Sequence, residues 1–439
     1  MADVDDQGTA VKLVAIGIGS VIFGIELLRD VFRVPEFRGA ELWLVDTDAG
    51  ALARMAGLAD RLNAAADWQM AIHATRDRVE ALPAADFVVT AAAVDRIATW
   101  RIDHDLALSH GFASVLSENG GPGGLSHTLR SVPLMLDIGH DIEAHAPDAV
   151  LFTYTNPANR VCLALRRHTS VRTVGLCHSL AEAIDACARL LERPRDTIEV
   201  TAAGVNHFTW FLSVHDRVDG SDLMPEFRRR TLAGDPHDAP VRRRLIEQLG
   251  SYPAIDDDHV GEYLPWAAAL IGTTGYDFEA HDRRSHTDID MLEAWGSGAR
   301  PVDGLLAEPS QEALIDHSAA ETMGAMIARR TRRRPSFILP NEGYVDNLPL
   351  DSVIEVPGLV EDGVARGIPV GALPEQVTAL VRHELAIQDA AIEAAVEGSR
   401  DLAMRALLLD PLVTDVHVAE RFLDAILDAH REYLPRFWT

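Results

Sequence analysis

Cys177 and His207 carry the side chains of this chain best suited to a metal ion: a thiolate and an imidazole, each beside an apolar run. A sheet edge would present both to a cleft. The pair suits a borderline divalent cation such as Mn2+, with open positions left for a substrate. Each also has an ordinary explanation, as a small buried hydrophobe or a satisfied structural histidine. Glu118 lies just ahead of Gly121-Pro122-Gly123-Gly124 and is a candidate acid or second carboxylate, or a loop residue held by hydrogen bonds. The glycines would let backbone approach a ligand closely, or form a plain connector. Asp256, Asp257 and Asp258 stand in a row. Such a run makes either a general base, if partly buried, or a solvated turn and helix cap.

A second constellation lies near the start. Gly17-x-Gly19-Ser20 follows a short apolar strand and opens a helical pattern. A tight turn of this kind lets backbone N–H groups and the helix N-terminus approach a pyrophosphate. Asp46 ends the next strand, where a carboxylate accepts ribose hydroxyls and repels a 2′-phosphate. NAD is therefore expected in preference to NADP. The third glycine of the usual fingerprint is missing, since position 22 is Ile22.

These residues need elements to hold them. Apolar runs at Val11–Ile16, Glu41–Val45, Asp86–Ala93, Ala149–Tyr154 and Arg172–Leu176 read as strands, alternating with helical patterns such as Leu52–Ala66 and Leu125–Ala146. That alternation predicts an α/β fold with a doubly wound parallel sheet. After Asn206 the pattern changes to mixed strands and helices. The expected division is a Rossmann-like dinucleotide-binding domain over 1–205 and an α+β catalytic, substrate and oligomerisation domain over 206–439. In the second half Phe337–Asn347 and Ser352–Val356 read as extended, and Pro374–Ala395 as a helix with Pro374 at its first position.

Composition narrows the function. Forty Lys+Arg against 67 Asp+Glu leave a net charge of −27. Such a surface repels nucleic acid and anionic membranes, so neither is an expected partner. Met1–Gly8 carries Asp3, Asp5 and Asp6, the wrong charge for a secretory leader. Three cysteines build no disulfide framework, and Cys162 and Cys187 read as core. A cytoplasmic enzyme or binding protein is expected.

Taken in order, several stretches resemble glycoside hydrolase family 4, the NAD- and divalent-metal-dependent glycosidases. They are Val14–Phe23, Gly121–Gly124 with Arg130, Thr155–Ala158, Gly175–His178, Gly204–Trp210, Asp257–Pro265, and Asn341 to Pro357. Glu118 stands where many members carry Asp, and Asp258 where a basic residue is common. Both would also suit a neighbouring family such as the NAD-dependent sulfoquinovosidases.

The resemblance implies a lactate/malate dehydrogenase-like fold, and a homodimer or homotetramer. It implies a glycosidase working by transient oxidation at C3 of the sugar, loss of the C2 proton, elimination of the aglycone, water addition and re-reduction. It assigns Cys177 and His207 to the metal, Asp257 to the C2 proton, and Asn156 to cofactor ribose and sugar. His178 then resembles the branch acting on unphosphorylated sugars, and Arg130 is a candidate for substrate. The substrate would be an unphosphorylated hexoside, such as a galactoside or glucoside, or one with an anionic C6 group (a uronide or sulfoquinovoside). Arg283, Arg284 or an arginine of the 329–334 run could hold such a group; the run also suits an interface or solvated face. The competing reading is an NAD-dependent 2-hydroxyacid dehydrogenase, which would want a His–Asp pair and an arginine but would not need Cys177.

Overall fold

The computed structural model describes residues 10–235, 237–310 and 318–439; the acidic run Met1–Gly8 lies outside them. Among these residues twelve strands form one sheet. Six are parallel: β1 (Lys12–Ile16), β2 (Glu41–Val45), β3 (Ala71–Thr75), β4 (Phe87–Thr90), β5 (Val150–Thr153) and β6 (Arg172–Gly175), in the spatial order β3-β2-β1-β4-β5-β6. β1, β4 and β5 are buried along their whole length, as continuous apolar runs in a two-faced sheet require. Helices cover both faces and form two separate cores.

The remaining strands are β7 (Ile198–Val205), β8 (Phe208–Asp216), β9 (Tyr252–Pro253), β10 (Arg332–Pro340), β11 (Val353–Glu361) and β12 (Val364–Gly367). They extend the sheet antiparallel from β6, in the order β10-β11-β7-β8-β9, with β12 on β11. The expected boundary at 205/206 thus falls in the turn of the β7–β8 hairpin. Phe337–Asn347 is extended only through Pro340. Beyond it Asn341 folds the chain into a loop, donating to the carbonyls of Val345, Leu348 and Pro349. Pro374 is the cap of the helix Glu375–Glu397 rather than its first residue.

Register decides where the chemistry gathers. Val45 pairs with Ile16, Ile16 with Thr90, Thr90 with Thr153 and Thr153 with Gly175. The row continues through Ile338 and Glu355 to Gly204. Asp46, Gly17, Asn156, Cys177 and His207 all follow within a few residues of this row. It is the carboxyl edge of the parallel strands, where open α/β sheets bind ligands.

Candidate active site

The cofactor end is built from β1, β2 and the helix Phe23–Val31. Gly19 N–H donates to Asp46 Oδ2 at 2.7 Å, and Gly17 N–H to the Val45 carbonyl at 2.9 Å. Asp46 Oδ1 accepts from Asp48 N–H at 2.9 Å. Ser20 is exposed at the helix entrance and its Oγ accepts from Phe23 N–H. The role of the missing third glycine falls to Gly24, two residues later than the usual spacing. A Cβ there would collide with the Ile18 carbonyl and come within 2.8 Å of Met55 Cε. The helix can therefore press against the turn only at a glycine.

The second half of the site is a dense cluster. His207 Nε2 lies 3.2 Å from Cys177 Sγ, and both residues are buried. His207 has φ +65°, rare for a side chain with a Cβ, as backbones at functional sites often are. Its ring sits edge-on to that of His259, with centroids 4.6 Å apart. Glu118, His207 and His259 each turn a ligand atom toward a common point, and these atoms lie within 4.8 Å of one another. Asn156 Nδ2 donates to Glu118 Oε1 at 3.2 Å, and Arg96 bonds the same oxygen.

Glu118 is held from behind. Its N–H and that of Asn119 donate to the Glu262 carboxyl, at 2.5 and 3.1 Å. Gly123 and Gly124 open the helix Gly121–His145 directly under this segment; a Cβ on Gly124 would lie 2.5 Å from the Asn119 carbonyl. The Gly-Pro-Gly-Gly run thus serves close packing that fixes Glu118.

Charges in the cluster are mutually arranged. Burial alone would raise the Glu118 carboxyl, but Arg96, His207 and His259 hold it down at about 2. Burial, then the charge of Glu118, pushes Glu262 up to about 8, so it keeps its proton at neutral pH. Burial and the neighbouring His259 lower His207 to about 4, which leaves a neutral imidazole with a lone pair to give. Against the cost of burial, the hydrogen bond and charge of Asp256 raise His259 to about 10. Asp256 Oδ1 accepts from His259 Nδ1 at 2.8 Å.

Two predicted residues are not brought to this cluster. Asp257 accepts from the N–H groups of Val241 and Arg242, at 2.6 and 3.0 Å, and so caps the helix Pro240–Leu249. The residue of the triple-aspartate run that faces the site is Asp256, one position earlier. Arg130 is buried in a separate ion pair, with Nη2 2.5 Å from Asp103 Oδ2; His430 joins the same carboxylate at 2.8 Å. His178 is exposed next to Cys177, at the start of the helix Ser179–Leu191. Cys162 and Cys187 are buried on helices. Arg330, Arg332, Arg333 and Arg334 are ion-paired with Glu36, Glu321 and Glu199.

Sequence reasoning missed Arg96, Asp256, His259 and Glu262 as site residues. One signal was available. Asp256-x-x-His259 has the spacing of an N-cap side chain and its third helical residue, and Asp256 does accept from His259 N–H. Arg96 and Glu262 carry no local pattern that marks them.

A doubly wound sheet with Gly17, Gly19 and Asp46 at its carboxyl edge, and a Cys177–His207 pair beside Glu118 and His259 on the same edge, defines an α/β protein with the donors that a dinucleotide and a divalent cation would need. The sequence profile of the family 4 glycosyl hydrolases matches residues 12–192, and that of the family 4 glycosyl hydrolase C-terminal domain matches 202–413. The chain belongs to this family. It is 28% identical to an alpha-glucosidase of Erwinia rhapontici, over 97% of this chain and 99% of that protein. It is 29% identical to an alpha-galactosidase of Bacillus subtilis, with the same coverage. A 6-phospho-alpha-glucosidase from gut microorganisms, solved with NAD and Mn2+, superposes with a TM-score of 0.85 at 22% identity, over 97% of this chain and 99% of that one. Among the described residues no helix is long and apolar enough to cross a membrane.

Proposed function

We propose that this glycosidase uses NAD and a divalent cation, and cleaves its glycoside by transient oxidation at C3 followed by elimination. The observation that carries this reading is the shared row of the sheet: the Gly17–Gly19/Asp46 cradle and the Cys177–His207 pair open onto the same carboxyl edge. The residues fit both groups. His207 has a buried Nδ1 with no partner and a strained backbone, and it sits in a thiol–imidazole–carboxylate set of the kind borderline divalent ions take. When bound, NAD would supply a hydride acceptor for C3, and the cation a Lewis acid for the oxygen there.

The chain's own residues divide the remaining work. Glu118, held at about 2, is a poor proton carrier at neutral pH; its part is negative charge toward the cation. Asn156 reaches from the end of β5 to Glu118 and is placed to orient a sugar hydroxyl. The Asp256–His259 pair, with its imidazole held protonated by Asp256, supplies positive charge beside Glu118 and a proton to give rather than a base; His259 Nε2 lies 3.8 Å from Glu118 Oε2. Membership of the family across both halves does not favour the dehydrogenase reading.

Hydrolysis in heavy water tests the mechanism. Oxidation at C3 makes the C2 hydrogen exchangeable, so the released sugar should carry deuterium at C2. A carboxylate-pair glycosidase never labilises that bond. Turnover with NAD and Mn2+ present but no deuterium at C2 would discard the redox route.

A further inference from the structure

We propose that a cavity at the amino edge of the sheet, between β6 and β10, binds a small organic phosphate whose phosphoryl group is held by Arg166 and Arg172. This site lies apart from the Cys177–His207 cluster and does not rest on the glycosidase reading.

The cavity has its cause in the strand pairing. β6 and β10 share one residue pair, Gly175 with Ile338. Toward the amino edge β6 keeps to β5, with Arg172 opposite Val150, while β10 keeps to β11, with Pro340 opposite Val353. The two strands therefore part. A cavity of about 460 Å3 opens between them, lined by Thr173 and Val174 on one side and by Leu339 and Pro340 on the other. That volume falls within the roughly 300–1,000 Å3 of small-molecule sites. At about 3.3 Å per residue, β6 separates Arg172 from the carboxyl edge by about 10 Å.

Charge points to the occupant. Three guanidinium groups line the cavity: Arg166 from the last turn of the helix Ala158–His168, Arg172 from β6 and Arg366 from β12. Arg167, next along the helix, is ion-paired with Asp389 and Glu393, and Arg366 with Glu361. Among the described residues Arg166 has no carboxylate partner, and Arg172 bonds the Asp148 carbonyl but no carboxylate. Glu342 is the one carboxylate among the described lining residues, and no ion pair joins it to these arginines. In a chain with 40 Lys+Arg and 67 Asp+Glu, acids are plentiful, so two unmatched arginines on one cavity leave room for an anion from outside. A cation at a helix C-terminus explains Arg166 taken alone. It does not explain Arg172 and Arg366, which come to the same space from two different strands.

The walls favour an organic phosphate over a bare ion. A guanidinium fork matches phosphoryl oxygens in two-point fashion. Val174, Leu339, Met326 and Val364 line the cavity with apolar surface that a bare ion leaves unused and an organic body covers. Tyr344 lines it as well, and its hydroxyl has no hydrogen-bond partner among the described residues.

The test is calorimetric titration of the NAD-saturated protein with AMP, ribose 5-phosphate and inorganic phosphate, and with adenosine and ribose as neutral counterparts. NAD fills the dinucleotide cradle, and the two esters separate a nucleotide from a sugar phosphate. At least one ester should bind about tenfold or more tighter than both its neutral counterpart and inorganic phosphate. The double variant Arg166→Ala/Arg172→Ala should weaken that binding by about tenfold or more, with NAD affinity within about twofold of the parent. Arg166→Lys/Arg172→Lys should keep part of it, as point charges without the fork do. In the parent, the bound ester should slow hydrogen exchange in β6 and at the end of β10. The proposal is overturned if neither ester outbinds its neutral counterpart, if inorganic phosphate binds as tightly as both esters, or if the alanine variant binds as the parent does. Should that variant fail to fold, the exchange map of the parent decides: protection confined to the Gly17 or Cys177 segments would overturn it equally.

Discussion

The carboxyl of Glu262 receives the backbone N–H groups of Glu118 and Asn119 from beneath, with oxygen 2.5 Å from the Glu118 nitrogen. One buried side chain thereby fixes the loop that aims another at the Cys177–His207–His259 cluster. Glu262→Ala would leave both N–H groups buried without acceptors, at about 1–3 kcal/mol each. Urea denaturation should show a loss of roughly 2–5 kcal/mol. Glu262→Gln keeps an acceptor oxygen and should lose less than half of that. Equal losses for the two variants would show that the hydrogen bonds do not hold the loop.

Asp256 and Asp257 should separate cleanly by substitution. Asp256 pairs with His259, whereas Asp257 caps a helix. Asp256→Asn should lower kcat by about 100-fold or more, in the range typical of general acid–base groups. Asp257→Asn should cost about 1 kcal/mol of stability, as helix caps do, with kcat within about tenfold of the parent. The reverse ranking of kcat would return the proton-transfer role to Asp257.

Cys177→Ser and His207→Ala should each abolish stimulation of turnover by Mn2+. The loss should exceed the roughly 10–100-fold caused by removing a group that only orients a ligand. NAD binding, followed by fluorescence quenching, should stay within about threefold, because neither residue belongs to the β1–β2 cradle. Full activity after chelation would contradict a catalytic metal.

Asp46→Ala should erode discrimination between NAD and NADP by about tenfold, the order of one charge-assisted hydrogen bond together with relief of phosphate repulsion. The ratio of the two dissociation constants measures it. Identical affinities in the parent protein would remove Asp46 from ribose recognition.

Asp410 gives a pH signature away from the site. Burial raises its carboxyl to about 7, from an ordinary 3.8. The native state then holds a proton that the unfolded chain releases, so this residue's contribution to stability falls as pH rises from about 4 to about 7. Asp410→Asn keeps an acceptor for Leu412 N–H but removes the titration. Its Tm relative to the parent should therefore be higher at pH 8 than at pH 5. A pH-independent difference would count against a buried, protonated Asp410.

Much of the parallel half was legible in the chain because its strands are short, continuous apolar runs. The sequence places a strand at Glu41–Val45, and the structure shows the same limits. β3 escaped notice because Ala71–Thr75 is a largely exposed edge strand with no apolar face. The helix Phe278–Gly296 escaped because it buries only Leu292 and Trp295 and shows no apolar stripe. Both are read through the neighbours they pack against, and a single sequence does not display those.

The site divides along the same line. Residue type and spacing singled out Gly17, Gly19 and Asp46, whereas Asn156, Cys177, His207 and Glu118 were marked by the family's motifs, because alone each reads equally well as a core, turn or loop residue. Which of Asp256 and Asp257 faces the cluster was decided by the start of one short helix, where a shift of one residue turns a side chain by about 100°. That Arg130 is consumed by Asp103 and His430, while Arg96 reaches Glu118, was decided by contacts across the fold. An arginine's partner is set by geometry in three dimensions, and no spacing in the chain records it.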